Sequence, residues 1–395
     1  MAYESGIRGL RVEFIRETVR GVTDADPDWL LYSDAVQNFT ANPTGSINPR
    51  GNIGTPDVVN FNAGTESHEF SITYDLQRWF SASGDAAYDG MDRLSDGSLP
   101  ASHSVVARAA AGNTGTAGGG SRIYYVATGA LINSANFAGE PESGEPIVVT
   151  LNYLCEKLRS YKLDQPASST TLTVVSTSAS DTMDLELEDD GASTTETVTL
   201  TGVTPVVTSA SFTSIDAAFL SAEPVGDITV TDGSNLLLTI YGSESYGDRE
   251  GDRGIPHLGA GSHGSTIGTT YENILGDTFT RGGSQLGLDA DISSVSMSVE
   301  NAIEANSTVY SIGKVLSEGA RTINLNATLF GPKASYDAMV DHLRAVQSDI
   351  VWTLTGGTLT LTGAALTSVG AVARETYQAV MTIDNTFQGK TLTIS

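Results

Sequence analysis

Ten residues, Tyr88-Asp89-Gly90-Met91-Asp92-Arg93-Leu94-Ser95-Asp96-Gly97, have a second version in the same chain, Tyr310-Ser311-Ile312-Gly313-Lys314-Val315-Leu316-Ser317-Glu318-Gly319. Tyr, Leu, Ser, an acid and Gly keep one spacing at an offset of 222 residues (310 − 88). Neighbouring segments follow in the same order. Phe70-Ser71-Ile72-Thr73-Tyr74 matches Val295-Ser296-Met297-Ser298-Val299 at an offset of 225. Thr128-Gly129-Ala130-Leu131 matches Thr362-Gly363-Ala364-Ala365-Leu366 at 234, and Val148-Val149-Thr150-Leu151 matches Val380-Met381-Thr382-Ile383 at 232. Four segments in one order read as an internal duplication, and a repeat constrains architecture before any single element does. Leu94 and Gly97 are then the turn positions equivalent to Leu316 and Gly319.

A chain of 395 residues exceeds a usual single domain. Its 42 Gly, with many Thr, Ser and Val, favour strands and turns over helices. The expected fold is all-β with one or two short helices. Residues 166–241 differ from their flanks: they hold no Lys or Arg, almost no aromatics, and short apolar runs at regular spacing. That pattern predicts an inserted immunoglobulin-like sandwich, projecting outward and dispensable. Removing these 76 residues leaves 319 (395 − 76), two units of roughly 160. The expected organisation is a first tube-type sandwich unit over 1–165 with an N-terminal arm, the insert over 166–241, and the second unit over 242–395.

Within the units, Asn42-Pro43, Asn48-Pro49-Arg50-Gly51 and Gly54-Thr55-Pro56 read as turn signals. Gly112–Gly120 and the charged segment Ser243–Ser265 read as loops. One helix is expected after Pro332, with Tyr336, Met339, Val340, Leu343 and Val346 on one apolar face. The arm, residues 1–31, is the most basic stretch. Arg8, Arg11, Arg16 and Arg20 there could occupy a solvated edge strand or dock on carboxylates of a neighbouring subunit, which the planar guanidinium suits.

The 47 acids against 21 bases give a net charge of −26, and only five of the bases are Lys. A dispersed acidic surface poor in Lys suits very high salt, where screening weakens self-repulsion. It argues against a nucleic-acid-wrapping surface, which needs basic stripes. Cys155 is the single cysteine, so neither an intrachain disulfide nor a Cys metal cluster can form. The first residues lack a signal-peptide layout, and no apolar run approaches a membrane span. His257 and His263 share a Gly-rich loop without helical ligand spacing. Glu186, Glu188, Asp189 and Asp190 lack the alternation of a calcium loop. No Gly-x-Ser-x-Gly elbow or phosphate cradle is present. The sequence therefore points to a non-enzymatic protein with no cofactor and no metal.

The opening Glu17-Thr18-Val19-Arg20-Gly21 leading to Trp29, and the strand pair carrying Leu316-Ser317-Glu318-Gly319 and Thr322-Ile323-Asn324-Leu325-Asn326 ahead of the Pro332 helix, resemble the major tail tube proteins of long, non-contractile-tailed viruses. The low Lys content suggests a haloarchaeal host. The resemblance implies a β-sandwich flanked by a helix, with inner sheets that join between subunits around a channel. Most such proteins carry one tube unit and form hexameric rings, so two units in one chain imply homotrimers with pseudo-sixfold symmetry. It further implies stacking of these rings, contact with other tail proteins at the tube ends, and viral DNA passing an acidic lumen without specific binding. Assembly would take place in the host cytoplasm, with no membrane partner, and the product would sit in the virion tail. Alternatives are a capsid decoration protein, a surface-layer or adhesion protein, and a secreted halophilic hydrolase.

Overall fold

The computed structural model describes residues 10–21, 23, 29–51, 58–77, 101–111, 121–139, 144–189, 194–215, 217–222, 224–233, 235–240, 277–282, 284–285, 292–306, 315–317, 319–330, 340–354, 358–369, 373–374 and 381–394. Strands make up most of the described residues and helix only residues 340–344 among them, so the protein is all-β. The first strands are β1 (Arg11–Arg16), β2 (Leu30–Leu31), β3 (Val36–Gly51), β4 (Val58–Asp75), β5 (His103–Ala111), β6 (Ser121–Gly139), β7 (Val148–Cys155) and β8 (Lys157–Asp164). Next come β9 (Thr173–Ser176), β10 (Asp184–Asp189), β11 (Thr194–Thr199), β12 (Val206–Val207), β13 (Ala217–Leu220), β14 (Ile228–Thr231) and β15 (Leu236–Ile240). The last third carries β16 (Thr278–Arg281), β17 (Ser284–Gln285), β18 (Ile292–Glu300), β19 (Glu304–Asn306), β20 (Val315–Ser317) and β21 (Thr322–Phe330). It closes with β22 (Gln347–Thr353), β23 (Thr358–Val369), β24 (Ala373–Arg374), β25 (Met381–Gly389) and β26 (Thr391–Ile394).

Contacts divide the chain into two compact units. The first comprises residues 1–31, 103–129 and 157–265; the second comprises 32–102, 130–156 and 266–395.

In the first unit β9 to β15 form a two-sheet sandwich. β11-β10-β13 is one sheet and β12-β9-β14-β15 the other, and every pairing is antiparallel. Alternation explains it: Leu185, Leu187 and Val174 point inward between exposed or half-buried Thr and Glu. The strand order is not that of an immunoglobulin domain, because β9 and β10 lie in different sheets where such a domain keeps its first two strands in one. Leu185, Phe212 and Ile228 share one continuous core with Trp29, Val106 and Val126. Deleting 166–241 would therefore uncover apolar side chains outside it, contrary to the dispensable module expected.

Of the acids read as a possible cation cluster, Asp189 is buried and committed to the protein. Its carboxylate accepts hydrogen bonds from Thr213 N (2.7 Å), Thr213 Oγ1 (2.6 Å), Ser214 N (2.9 Å) and Ser214 Oγ (2.8 Å). Burial alone pushes this carboxyl up, but these four bonds outweigh it and hold it down to about 2. A depressed folded value contributes stability that is fully present above the unfolded value of about 4 and is lost as pH falls through about 2. Asp189→Asn is expected to flatten the acid limb of the stability curve over that window, as measured by urea unfolding at stepped pH.

In the second unit the helix expected after Pro332 is described at residues 340–344. Leu343, predicted on its apolar face, is 75% exposed instead. Tyr336 and Met339, the other residues expected to open that face, lie outside the described residues, and Val340 is half-buried. His342 Nδ1 lies 2.9 Å from the Leu366 carbonyl and ties this turn to β23. The turns expected at Asn42-Pro43 and Asn48-Pro49 are instead interior to β3. That strand has a ladder on one side only among the described residues, and an edge strand accommodates proline.

Asn385 on β25 is 1% exposed, and neither atom of its side-chain amide has a hydrogen-bond partner. Such a group costs about 1–3 kcal/mol. Asn385→Leu is expected to stabilise the second unit by an amount of that order in chemical denaturation. A loss of stability would show that the amide has a role the contacts do not reveal.

Candidate functional site

The feature that positions everything else is one antiparallel sheet inside the second unit, running β3–β4–β7–β6–β18–β21–β25–β23. Its strands come from both ends of the chain, and residues 130–139 of β6 pair with β7 on one side and β18 on the other. One face is apolar and buried, carrying Phe70, Ile72, Leu151, Phe137, Met297 and Leu325. Phe70 stacks on Tyr153 at 4.5 Å, and the Tyr153 hydroxyl lies 2.8 Å from that of Tyr32. The opposite face carries Ser, Thr, Asn and Gln.

The first four strands of this sheet repeat in the last four with constant register. Each of the eight pairs from Val36↔Tyr74 to Thr44↔Ser67 has its match between Ile292↔Leu329 and Glu300↔Thr322, at +256 on β3 and +255 on β4. Eight pairs of β4 with β7 match eight of β21 with β25, at +255 and +234. Four pairs of β6 with β7 match four of β23 with β25 at +234 on both strands. Irregularities repeat too: register shifts fall at Val36/Asn38 and Ile292/Ser294, and at Ile132/Ser134 and Leu366/Ser368. The pairing of Tyr125–Thr128 with Ser160–Lys157 is reproduced by Leu359–Thr362 with Ile394–Thr391, again at +234. Gly129 and its match Gly363 both turn with positive φ, 62° and 59°.

A stagger also follows from these registers. Crossing the ladders from Asn38 leads to Thr73, Thr150, Asn136 and Ser298. The match of Asn38 is Ser294 (38 + 256), four residues from Ser298. Four residues along a strand against four strand spacings is about 13 Å against about 19 Å, a tilt of about 35°. That tilt is at the edge of the range in which sheets close into barrels.

No protein-family model matches the chain, and no curated protein matches it. Among solved structures it is similar in part to the cap of the anti-feeding prophage, described as a tube-terminating cap, at 17% identity and a TM-score of 0.22. It is similar also to the PVC sheath–tube complex of an extracellular contractile injection system in the extended state, at 16% identity and a TM-score of 0.23. Each likeness covers 30% of this chain and 87% of the other. Overlaps of that quality decide neither fold nor function.

The residues singled out from sequence fall as follows. Leu94, Gly97 and Arg8 lie outside the described residues, as do His257, His263 and Gly112–Gly120. Leu316 is buried with Leu131, Leu154 and Ile303. Gly319 packs so closely on Ala302 that an added Cβ would stand 1.7 Å from its carbonyl oxygen, so only glycine fits. The matching ladders do not equate Leu316 with Leu94, because Leu316 precedes β21 whereas Leu94 follows β4, the strand that β21 matches.

The arm is a strand of the first unit from Arg11 to Arg16, paired along its length with β5 and at two residues with β2. Arg11 donates to Glu13 (2.9 Å) and Arg16 is exposed; Arg20 is half-buried. Two acids to which sequence reasoning gave no structural role organise this strand. Glu13 is buried and also accepts from Arg108 Nη2 at 2.6 Å. Glu17 accepts from Ser104 Oγ (2.8 Å), Gly129 N (2.8 Å) and Gly21 N (2.7 Å). Alternation did not mark them: Glu13 falls between Val12 and Phe14 on the polar side of the pattern, and Glu17 lies beyond the end of β1.

Proposed function

We propose that this chain is a structural protein of a viral tail, in which two copies of one strand unit lie side by side and closed rings stack into a hollow tube. The observation that carries this reading is the β6–β18 ladder, where the edge of the first strand set joins the edge of the second with a four-residue stagger. It is an in-chain instance of the contact a ring needs between chains. The outer edges of the sheet, β3 and the end of β23 beyond Ala365, have one ladder each among the described residues. Joining β23 of one chain to β3 of the next removes both exposed edges.

Three chains of eight such strands supply 24. At about 4.8 Å per strand and a tilt of about 35°, they enclose a barrel about 45 Å across between backbones, wide enough for a DNA duplex. The chain would thus form homotrimeric rings with pseudo-sixfold symmetry, which pass viral DNA during ejection and meet other tail proteins at the tube ends. The acid excess and scarce Lys fit the tail of a haloarchaeal virus, which the sequence resemblance makes long and non-contractile. Electron microscopy of the purified protein at molar salt, with native mass spectrometry of released rings, tests this. Hollow rods with three chains per ring are expected. Six chains per ring, or no rods, would overturn it.

A further inference from the structure

The solvent face of the eight-stranded sheet has a charge pattern unlike the rest of the chain. Across its middle, one register row reads Thr73, Thr150, Asn136, Ser298, Asn324 and Gln388, all uncharged. Among the described residues the carboxylates of this face flank that row: Glu69 and Glu300 on one side, Asp75 and Asp384 on the other. The Lys or Arg side chain that reaches this face among the described residues is Lys390, just past the end of β25, whose Nζ donates to Gln347 (2.8 Å) beside the Ala365–Gln388 end of the row. Several of the polar groups are already satisfied by one another across strands. Thr73 Oγ1 lies 3.3 Å from Thr150 Oγ1, Asn152 donates to Ser134 (2.9 Å), and Thr386 donates to Asn326 (2.8 Å).

We infer that this face is the track along which a polyanion of the class of duplex DNA moves, and that it works by being uncharged and self-bonded rather than by being acidic. This rests on the tube reading and takes the place of the acidic lumen that the resemblance implied. Holding a polyanion requires cations that displace its counterions, and among the described residues this face offers one at its margin, Lys390, already tied to Gln347. Neutral hydroxyl and amide groups can also grip phosphates, but groups bonded to each other across strands have fewer donors to give. Repulsion by the flanking carboxylates reaches only about 3 Å at 1 M salt, so at molar salt the neutral middle decides whether the passing chain sticks.

Two measurements on assembled rods test the inference. The first is Ser298→Cys, labelled with a small maleimide and with one on a polymer too bulky to enter a rod; Cys155 is buried and serves as the silent background. In rods the small reagent should react and the bulky one should not, while both react with unassembled protein. Equal bulky labelling in rods would place this face outside and overturn the inference with the tube reading intact. The second is retention of a short DNA duplex by rods pelleted at low salt. Wild-type rods should retain none above background. Asn136→Lys with Asn324→Lys should retain at least tenfold more and release it as salt rises. Wild-type retention equal to the variant's would overturn the inference. If the double variant does not assemble, Gln388→Lys, at an exposed position, serves in its place. Absence of wild-type rods would instead sink the tube reading itself.

Discussion

Arg108→Ala is expected to cost the first unit about 3–5 kcal/mol, because it strips a buried carboxylate of its closest cation. Glu13 is 1% exposed and sits 2.6 Å from Arg108 Nη2, itself almost fully buried, with the partly exposed Arg11 as its other cation. Hydrogen exchange of the β1 and β5 amides reports the loss where it occurs, since these strands pair from Arg11↔Arg108 to Arg16↔His103. Replacing the pair together, Glu13→Leu with Arg108→Met, should restore much of the stability, since the cost comes from an uncompensated charge and not from a lost shape. A loss below about 1 kcal/mol for Arg108→Ala would put the pair in the class of solvent-screened surface ion pairs. It would also reopen the view of the N-terminal arginines as a docking arm.

The second large effect tests the equivalence of the two strand sets. A Cβ added at Gly389 would stand 2.0 Å from Leu361 Cδ1 and 2.3 Å from its Cγ. The residues at the matching ladder positions are Cys155 (389 − 234) and Ala127 (361 − 234). Gly389→Cys alone should destabilise the second unit by about 1–3 kcal/mol through overpacking. Leu361→Ala alone should cost about 2–5 kcal/mol through the cavity it opens. Together they reproduce the combination at the matching positions, and the double variant should be more stable than the sum predicts by up to about 3 kcal/mol. Strict additivity in chemical denaturation would mean that the two sites share coordinates of the ladder without sharing its packing.

Much of this fold was legible in the sequence because half-buried strands alternate. The strands around Phe70, Val148, Val295 and Thr391 all form where alternation put them. A repeat was expected from the sequence, but the matching ladders do not follow the alignment expected. Phe70–Tyr74 was set against Val295–Val299, whereas the ladders match β4 with β21 and β18 with β3. Alternation has period two, so strands slid by any even number still superpose apolar on apolar. The same degeneracy explains why Val148 was matched at an offset of 232 when the ladder gives 234.

Proline misled for a different reason. Pro43 and Pro49 interrupt a central strand but not an edge, and edge status is decided by partners that are distant in sequence. The shared sheet itself was invisible, since joining residues 134–139 to 295–300 depends on two edges meeting across more than 150 positions. Buried acids, Glu13 above all, looked like solvated charge because their partners lie some 90 residues away.

The covalent continuity from β6 to β18 bears on how such an assembly is built. In the ring proposed above, every second seam would be closed at synthesis, by a tether instead of an encounter, which would halve the collisions needed and leave each chain two sticky borders where two separate copies would have four. It also frees the two halves to drift apart in detail, as Leu151 and Asn385 have done, because neither half ever has to occupy the other's place.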